Sequence, residues 1–126
     1  MNRAASICLF LGVSAFSGSA IADWIEYTAQ PNGDVHFFDD ARVEKEGNEI
    51  SVWSRVRYKT SVMGAAGFQS LVKIDCLEET ESVQQSTFFS DRDWAVPAMA
   101  TNTKPKRAKK IKPGSAVEVL ASRLCE

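Results

Sequence analysis

The chain has 126 residues, 44% hydrophobic and 25% charged, with a formal net charge of −1. That length fits one small domain, whose modest core would gain from a covalent staple. A slightly acidic balance argues against a nucleic-acid protein, which needs a basic excess.

The N-terminus reads as a secretory signal peptide over residues 1–22. Met1-Asn2-Arg3 carries one positive charge, an apolar run extends from Ala4 to Phe16, and Ser17-Gly18-Ser19-Ala20-Ile21-Ala22 ends in an A-x-A site. The run is too short and wrongly flanked for a membrane span, and cleavage is predicted between Ala22 and Asp23. Cys8 lies inside the apolar run without room for a complete signal before it, so it reads as an ordinary residue lost on cleavage. Residues 23–126 are then a single exported domain in which no stretch is long and apolar enough to cross a bilayer. Only Cys76 and Cys125 remain, an even count in an exported chain, so one bridge can form.

Trp24-Ile25-Glu26-Tyr27-Thr28 is rich in strand formers. Gln30-Pro31-Asn32-Gly33-Asp34 has strong turn chemistry, and Val35-His36-Phe37-Phe38 reads as the returning strand. Asp39-Asp40 breaks that strand as turn formers, and Ala41 to Lys45 is expected as a short third strand. After Glu46-Gly47-Asn48, a strand runs from Glu49 to Tyr58, with Ile50, Val52, Ser54, Val56 and Tyr58 on one face and Trp53 on the other. Lys59 to Gly67, containing Gly64-Ala65-Ala66-Gly67, reads as a flexible connection. Alternation resumes with Phe68, Ser70, Val72, Ile74 and Cys76 on one side, which places Cys76 where a packed helix can reach it. Glu78-Glu79 turns the chain into a sixth strand, Thr80 to Phe89, and residues 90–103 show no period and read as loop.

Lys104, Lys106, Arg107, Lys109, Lys110 and Lys112 put six basic residues into nine. Pro113-Gly114 leads into a helix over residues 115–125. Ser115 and Glu118 form a capping box in which the hydroxyl takes the Glu118 N–H and the carboxylate reaches back to the Ser115 N–H. Val117, Leu120, Ala121 and Leu124 make one apolar stripe. A helix of this length is marginal alone and must lean on the rest of the chain. The fold class is α+β: an antiparallel β-sheet of about six strands with a C-terminal helix packed on one face.

Several pieces, in order, carry a resemblance: Trp24, Phe37-Phe38-Asp39, Gly47 with Val52-Trp53, Ile74-Asp75-Cys76, and Ile111-Lys112-Pro113-Gly114-Ser115 with Cys125. Together they resemble the surface-adhesin protein E-like domain of Gram-negative bacteria, from roughly Ala22 to Cys125. The resemblance implies a sheet with a C-terminal helix tethered by a Cys76–Cys125 disulfide. It also implies adhesin-like binding of host matrix or serum proteins. The founding member is a lipoprotein, whereas this sequence has no lipobox, so the expected location is the periplasm or the outer surface.

Nothing in the sequence supports catalysis. The two remaining cysteines are accounted for by one bridge. His36 is a lone histidine among apolar neighbours, without the spaced partners of a metal site or a nucleophile triad. Gly64-Ala65-Ala66-Gly67 lacks the Lys-Ser/Thr of a phosphate loop. Neither an enzyme nor a cofactor is expected. Trp24 and Trp53 read as sheet packing and Trp94, beside Asp91-Arg92-Asp93, as a candidate contact residue. The candidate binding residues are therefore Lys104, Lys106, Arg107, Lys109, Lys110, Lys112 and Trp94, facing a protein or polyanionic partner. A second reading is a periplasmic accessory or small-ligand domain with an apolar pocket lined by Phe37, Phe68 and Leu120.

Overall fold

A computed structural model describes residues 21–126; residues 1–20, most of the predicted signal peptide, lie outside the described residues. Seven strands follow one another: β1 (Trp24–Ala29), β2 (Val35–Asp39), β3 (Glu44–Glu46), β4 (Glu49–Val62), β5 (Ala65–Asp75), β6 (Thr80–Phe89) and β7 (Lys109–Lys110). A 3₁₀ turn (Asp40–Arg42) separates β2 from β3, and a helix, α1 (Ala116–Leu124), ends the chain. All strand pairs are antiparallel. The order across the sheet is β1-β2-β4-β5-β6-β7, and β3 also pairs with β4.

Period-two alternation in β4 decides which side is covered. Ile50, Val52, Ser54 and Val56 are buried, while Ser51, Trp53, Arg55 and Arg57 between them are half-buried. Successive strand side chains point to opposite faces, so one face meets the helix and the other does not. On the helix side, Phe38, Ile50, Val52, Val72 and Ile74 form one cluster with Leu120 and Leu124. Each such side chain removed from water contributes about 1.5–3 kcal/mol, which anchors α1. Ser54 interrupts the apolar row but is matched by the Tyr27 hydroxyl at 3.4 Å, which avoids an unpaired buried polar group.

Capping is slightly different from the sequence expectation. Ser115 Oγ accepts the Glu118 N–H at 3.3 Å, as expected. The Glu118 carboxylate, however, accepts the Gly114 N–H at 2.7 Å, because the Ser115 N–H already donates to the Lys112 carbonyl. The helix end is closed covalently. Cys76, just after β5, is bonded to Cys125, with the Cα atoms 5.7 Å apart across 49 residues of chain.

Three local expectations are corrected. The segment from Lys59 to Gly67 is not a flexible connection: β4 runs on to Val62 and β5 starts at Ala65. Met63 and Gly64, with φ of 52° and 83°, make the two-residue turn whose positive φ angles match the right-handed twist of the flanking strands. The third strand covers Glu44–Glu46 only, since Asp39 caps the 3₁₀ turn by accepting the Ala41 N–H at 3.0 Å. A seventh strand appears where Lys109 and Lys110 pair with Glu81 and Thr80.

Candidate functional site

The basic segment is fixed by its backbone. The Lys106 N–H donates to the Val83 carbonyl at 2.8 Å, the Ser82 hydroxyl donates to the Lys106 carbonyl at 2.6 Å, and the Ile111 N–H donates to the Glu79 carbonyl at 3.0 Å. Lys104, Lys106, Arg107, Lys109, Lys110 and Lys112 are all exposed. Among the described residues none of the six lies within ion-pair distance of a carboxylate. The Lys110 ammonium instead donates to the Glu78 carbonyl at 2.7 Å. Lys109 lies opposite Glu81; burial raises the Glu81 carboxyl while Lys109 opposes that rise. The strip thus presents several positive charges within one Debye length on an edge whose backbone is held in place.

Trp94 lies on the sheet face away from α1. The Asp91 carboxylate accepts the N–H groups of Val96, Ala95 and Asp93 at 2.8, 3.0 and 3.2 Å. These donors, Val96 foremost, hold the Asp91 carboxyl below the usual carboxylate range. The loop so organised carries Trp94 at a φ of 53°, a conformation that non-glycine residues adopt at a cost. Its indole N–H donates to the Val56 carbonyl at 3.0 Å. The ring lies on Gly67, where a Cβ would meet it at 3.0 Å, so any larger residue would have to push the indole aside. Trp94 is therefore half-buried and rests on β4 and β5.

Trp24 and Trp53 project from the same face, and each tryptophan carries a guanidinium. Arg55 stands 4.1 Å from the Trp24 ring centroid and 4.7 Å from that of Trp94. Arg57 stands 4.8 Å from Trp94, and Arg42 lies 5.6 Å from Trp53. Phe37 meets Trp94 edge-on at 5.6 Å. The sequence separates these residues widely; the one available signal was Trp53, Arg55 and Arg57 alternating with the apolar row.

Asp39 forms the rim of this face and is completely buried. Burial alone would raise its carboxyl. The Asp23 N–H at 2.8 Å, the Arg42 guanidinium and the Ala41 N–H outweigh that effect and hold it below its ordinary value. His36 is half-buried beside the Tyr27 ring, and burial lowers its pKa against a smaller opposing pull from Asp34. Among the described residues, no group of His, Cys, Asp and Glu is arranged to hold a metal ion.

The apolar pocket expected from Phe37, Phe68 and Leu120 does not form. Phe37 faces Trp94, its neighbour Phe38 faces the helix side with Leu120, and Phe68 packs on Phe88 at 4.7 Å. A recess of about 310 Å³ does lie between α1 and the end of β5, beside the disulfide, with Ile111 and Ala121 among its lining residues. Two of its carboxylates are already engaged: Asp75 accepts the Leu77 and Glu78 N–H groups, and Glu118 the Gly114 N–H.

The family model described as surface-adhesin protein E matches residues 24–126. No curated protein matches the chain. Among solved structures, Haemophilus influenzae protein E superposes with a TM-score of 0.61 at 11% identity, covering 86% of this chain and 90% of that one. A second crystal form gives 0.60 at 12%, covering 86% and 91%. Protein E from non-typeable Haemophilus influenzae gives 0.60 at 11%, covering 86% and 79%. At such identity the structural likeness shows a shared fold.

Proposed function

The chain belongs to the surface-adhesin protein E family, and from that premise we propose that it is an exported, non-enzymatic binding module that engages a protein or polyanionic partner in adhesin-like fashion. The observation that carries this reading is the strip from Lys104 to Lys112, whose six cations stand exposed without a carboxylate partner among the described residues. Exposed charge of this kind, carried on a backbone held in place, favours association with anionic surfaces by steering and by direct contact. Substituting Lys106, Arg107, Lys109 and Lys110 by Gln removes the charge without touching the core. Binding to immobilised heparin and to host matrix proteins is expected to fall sharply in this variant; unchanged binding refutes the role of the strip.

Export follows from residues 1–22 read as a signal peptide cleaved after Ala22. Support comes from the new terminus this creates. The backbone nitrogen of Asp23 stands 2.8 Å from the buried Asp39 carboxylate, so cleavage there would place an α-ammonium on an existing acceptor. Fractionation with protease treatment of intact cells separates the outer surface from the periplasm. Digestion on intact cells supports adhesion to a host; protection directs the search to partners within the envelope.

A further inference from the structure

All three tryptophans of the chain share the sheet face that α1 leaves open, each with an arginine on its ring. The two central arginines differ. Arg57 is already engaged, donating from Nε to the Arg92 carbonyl at 3.1 Å and lying 4.0 Å from Asp93. Arg55 donates from Nε to Gln69 Oε1 at 2.7 Å, and among the described residues its terminal nitrogens meet no carboxylate. Asp39, which attracts it, is bound to Arg42. Arg55 is thus a half-buried guanidinium, clamped between two indoles, without a counter-ion of its own. Burial, and next the charge of Arg42, lower its pKa, as expected for a cation short of compensation.

The clamp is built at a cost. Trp94 holds a left-handed backbone that an L-residue adopts only at a cost, and strain of that kind gathers at binding sites. The result is a guanidinium whose fork is set in one plane, the geometry that receives a carboxylate through two parallel hydrogen bonds. The occupant's class follows from what the rings are doing. A sugar would stack on indole faces, but Arg55 already occupies faces of Trp24 and Trp94. Tryptophan and arginine in partly desolvated positions are instead the anchors typical of protein interfaces.

We propose that this face is a docking site for an acidic segment of a partner protein, with a Glu or Asp carboxylate of that segment bidentate on Arg55, and a flanking apolar side chain lying on Leu71, the half-buried cross-strand partner of Trp53 on the same face. The site is separate from the strip at Lys104–Lys112 and stands whether or not that strip binds anything.

The test is a ¹H–¹⁵N NMR titration of the purified chain with a short peptide alternating Glu and Leu, and with the same peptide carrying Gln for Glu. The expected result is movement of the Trp24 and Trp94 indole N–H and Arg55 Nε–H signals with the Glu peptide alone. Arg55→Lys keeps the charge but loses the planar fork, and should weaken that binding about tenfold or more. The Lys106→Gln/Lys109→Gln/Lys110→Gln variant should leave it unchanged. Movement confined to the amides of residues 104–112, equal binding of the Gln peptide, or full binding by Arg55→Lys overturns the proposal. A heparin oligosaccharide that moves the Trp24 and Arg55 signals in place of the peptide also overturns it, because it makes the occupant a glycan. The titration of the unsubstituted chain decides the matter even where a variant fails to fold. Loss of heparin binding with this map intact, or the reverse, tells failure of the basic strip from failure of this face.

Discussion

The two faces of the sheet solve opposite problems with the same strands. On one, Phe38, Val52, Ile74 and Leu120 are almost wholly shielded from water, and a disulfide locks the covering helix. On the other, Trp24, Trp53 and Trp94 are half-buried, and arginines rather than a second layer cover their rings. Apolar burial and chain entropy hold the first face; stacking, hydrogen bonds to loop carbonyls and charge organise the second. Stability should therefore reside mainly on the helix side and recognition on the open side, and each substitution below tests that division.

The largest effect is expected from the Cys76→Ser/Cys125→Ser double variant. Opening a loop of this size returns entropy to the unfolded chain worth about 4 kcal/mol, roughly a 20 °C fall in Tm for a domain of this length. Scanning calorimetry of the oxidised chain against the variant checks it. A fall of only a few degrees would mean that the apolar contacts alone hold α1. Next comes Leu120→Ala, which empties the centre of the helix contact and should cost about 3 kcal/mol by urea unfolding. In either variant, conditions that keep the chain folded should leave the indole signals of Trp24 and Trp94 in place. If they move, the two faces are coupled and the division fails.

These helix-side residues were legible in the sequence because excluding water from one face imposes period two on β4 and β5. Ile50, Val52 and Val56, like Val72, Ile74 and Cys76, had no other reason to alternate. The Ser115 cap on the Glu118 N–H was equally legible, since a helix start is a local chemical problem, whereas the Glu118 carboxylate went to Gly114 instead of Ser115. The open face was not. Trp94 meets Val56 across 38 residues, and the loop that brings it there has no period to read. Arg55 gains its meaning only once Trp24 and Trp94 are placed on either side. β7 escaped for a related reason: a two-residue strand carries no alternation, and its lysines read only as part of the basic run.

Asp39 lies where the faces meet, and its substitution should have an intermediate effect. Asp39→Asn keeps the shape but loses charge-assisted hydrogen bonds from Asp23, Ala41 and Arg42, at a cost of about 2 kcal/mol near neutral pH. Its folded pKa is depressed. The stability it supplies is therefore present above the ordinary carboxylate range and lost as pH falls through the folded value. Urea midpoints measured from pH 7 downward should show the unsubstituted chain losing stability in acid, while Asp39→Asn stays flatter and the two converge at low pH. Parallel curves would remove Asp39 from the account of acid sensitivity.

The smallest effect on stability should come from Arg55→Gln, and its smallness matters. Stacking on two rings is worth about 0.5–1 kcal/mol per ring at half-exposed sites, but the charged guanidinium also loses water when it is clamped. A neutral side chain forfeits the first and escapes the second, so the net change should be no more than about 1 kcal/mol. Urea unfolding measures it directly. A loss above about 2 kcal/mol would make the Trp24–Arg55–Trp94 stack a structural clamp and transfer the open face to the side of stability. A small loss would leave the strained backbone of Trp94 and the terminal nitrogens of Arg55, which meet no carboxylate among the described residues, without a purpose in folding, which is the expected signature of groups arranged for a partner.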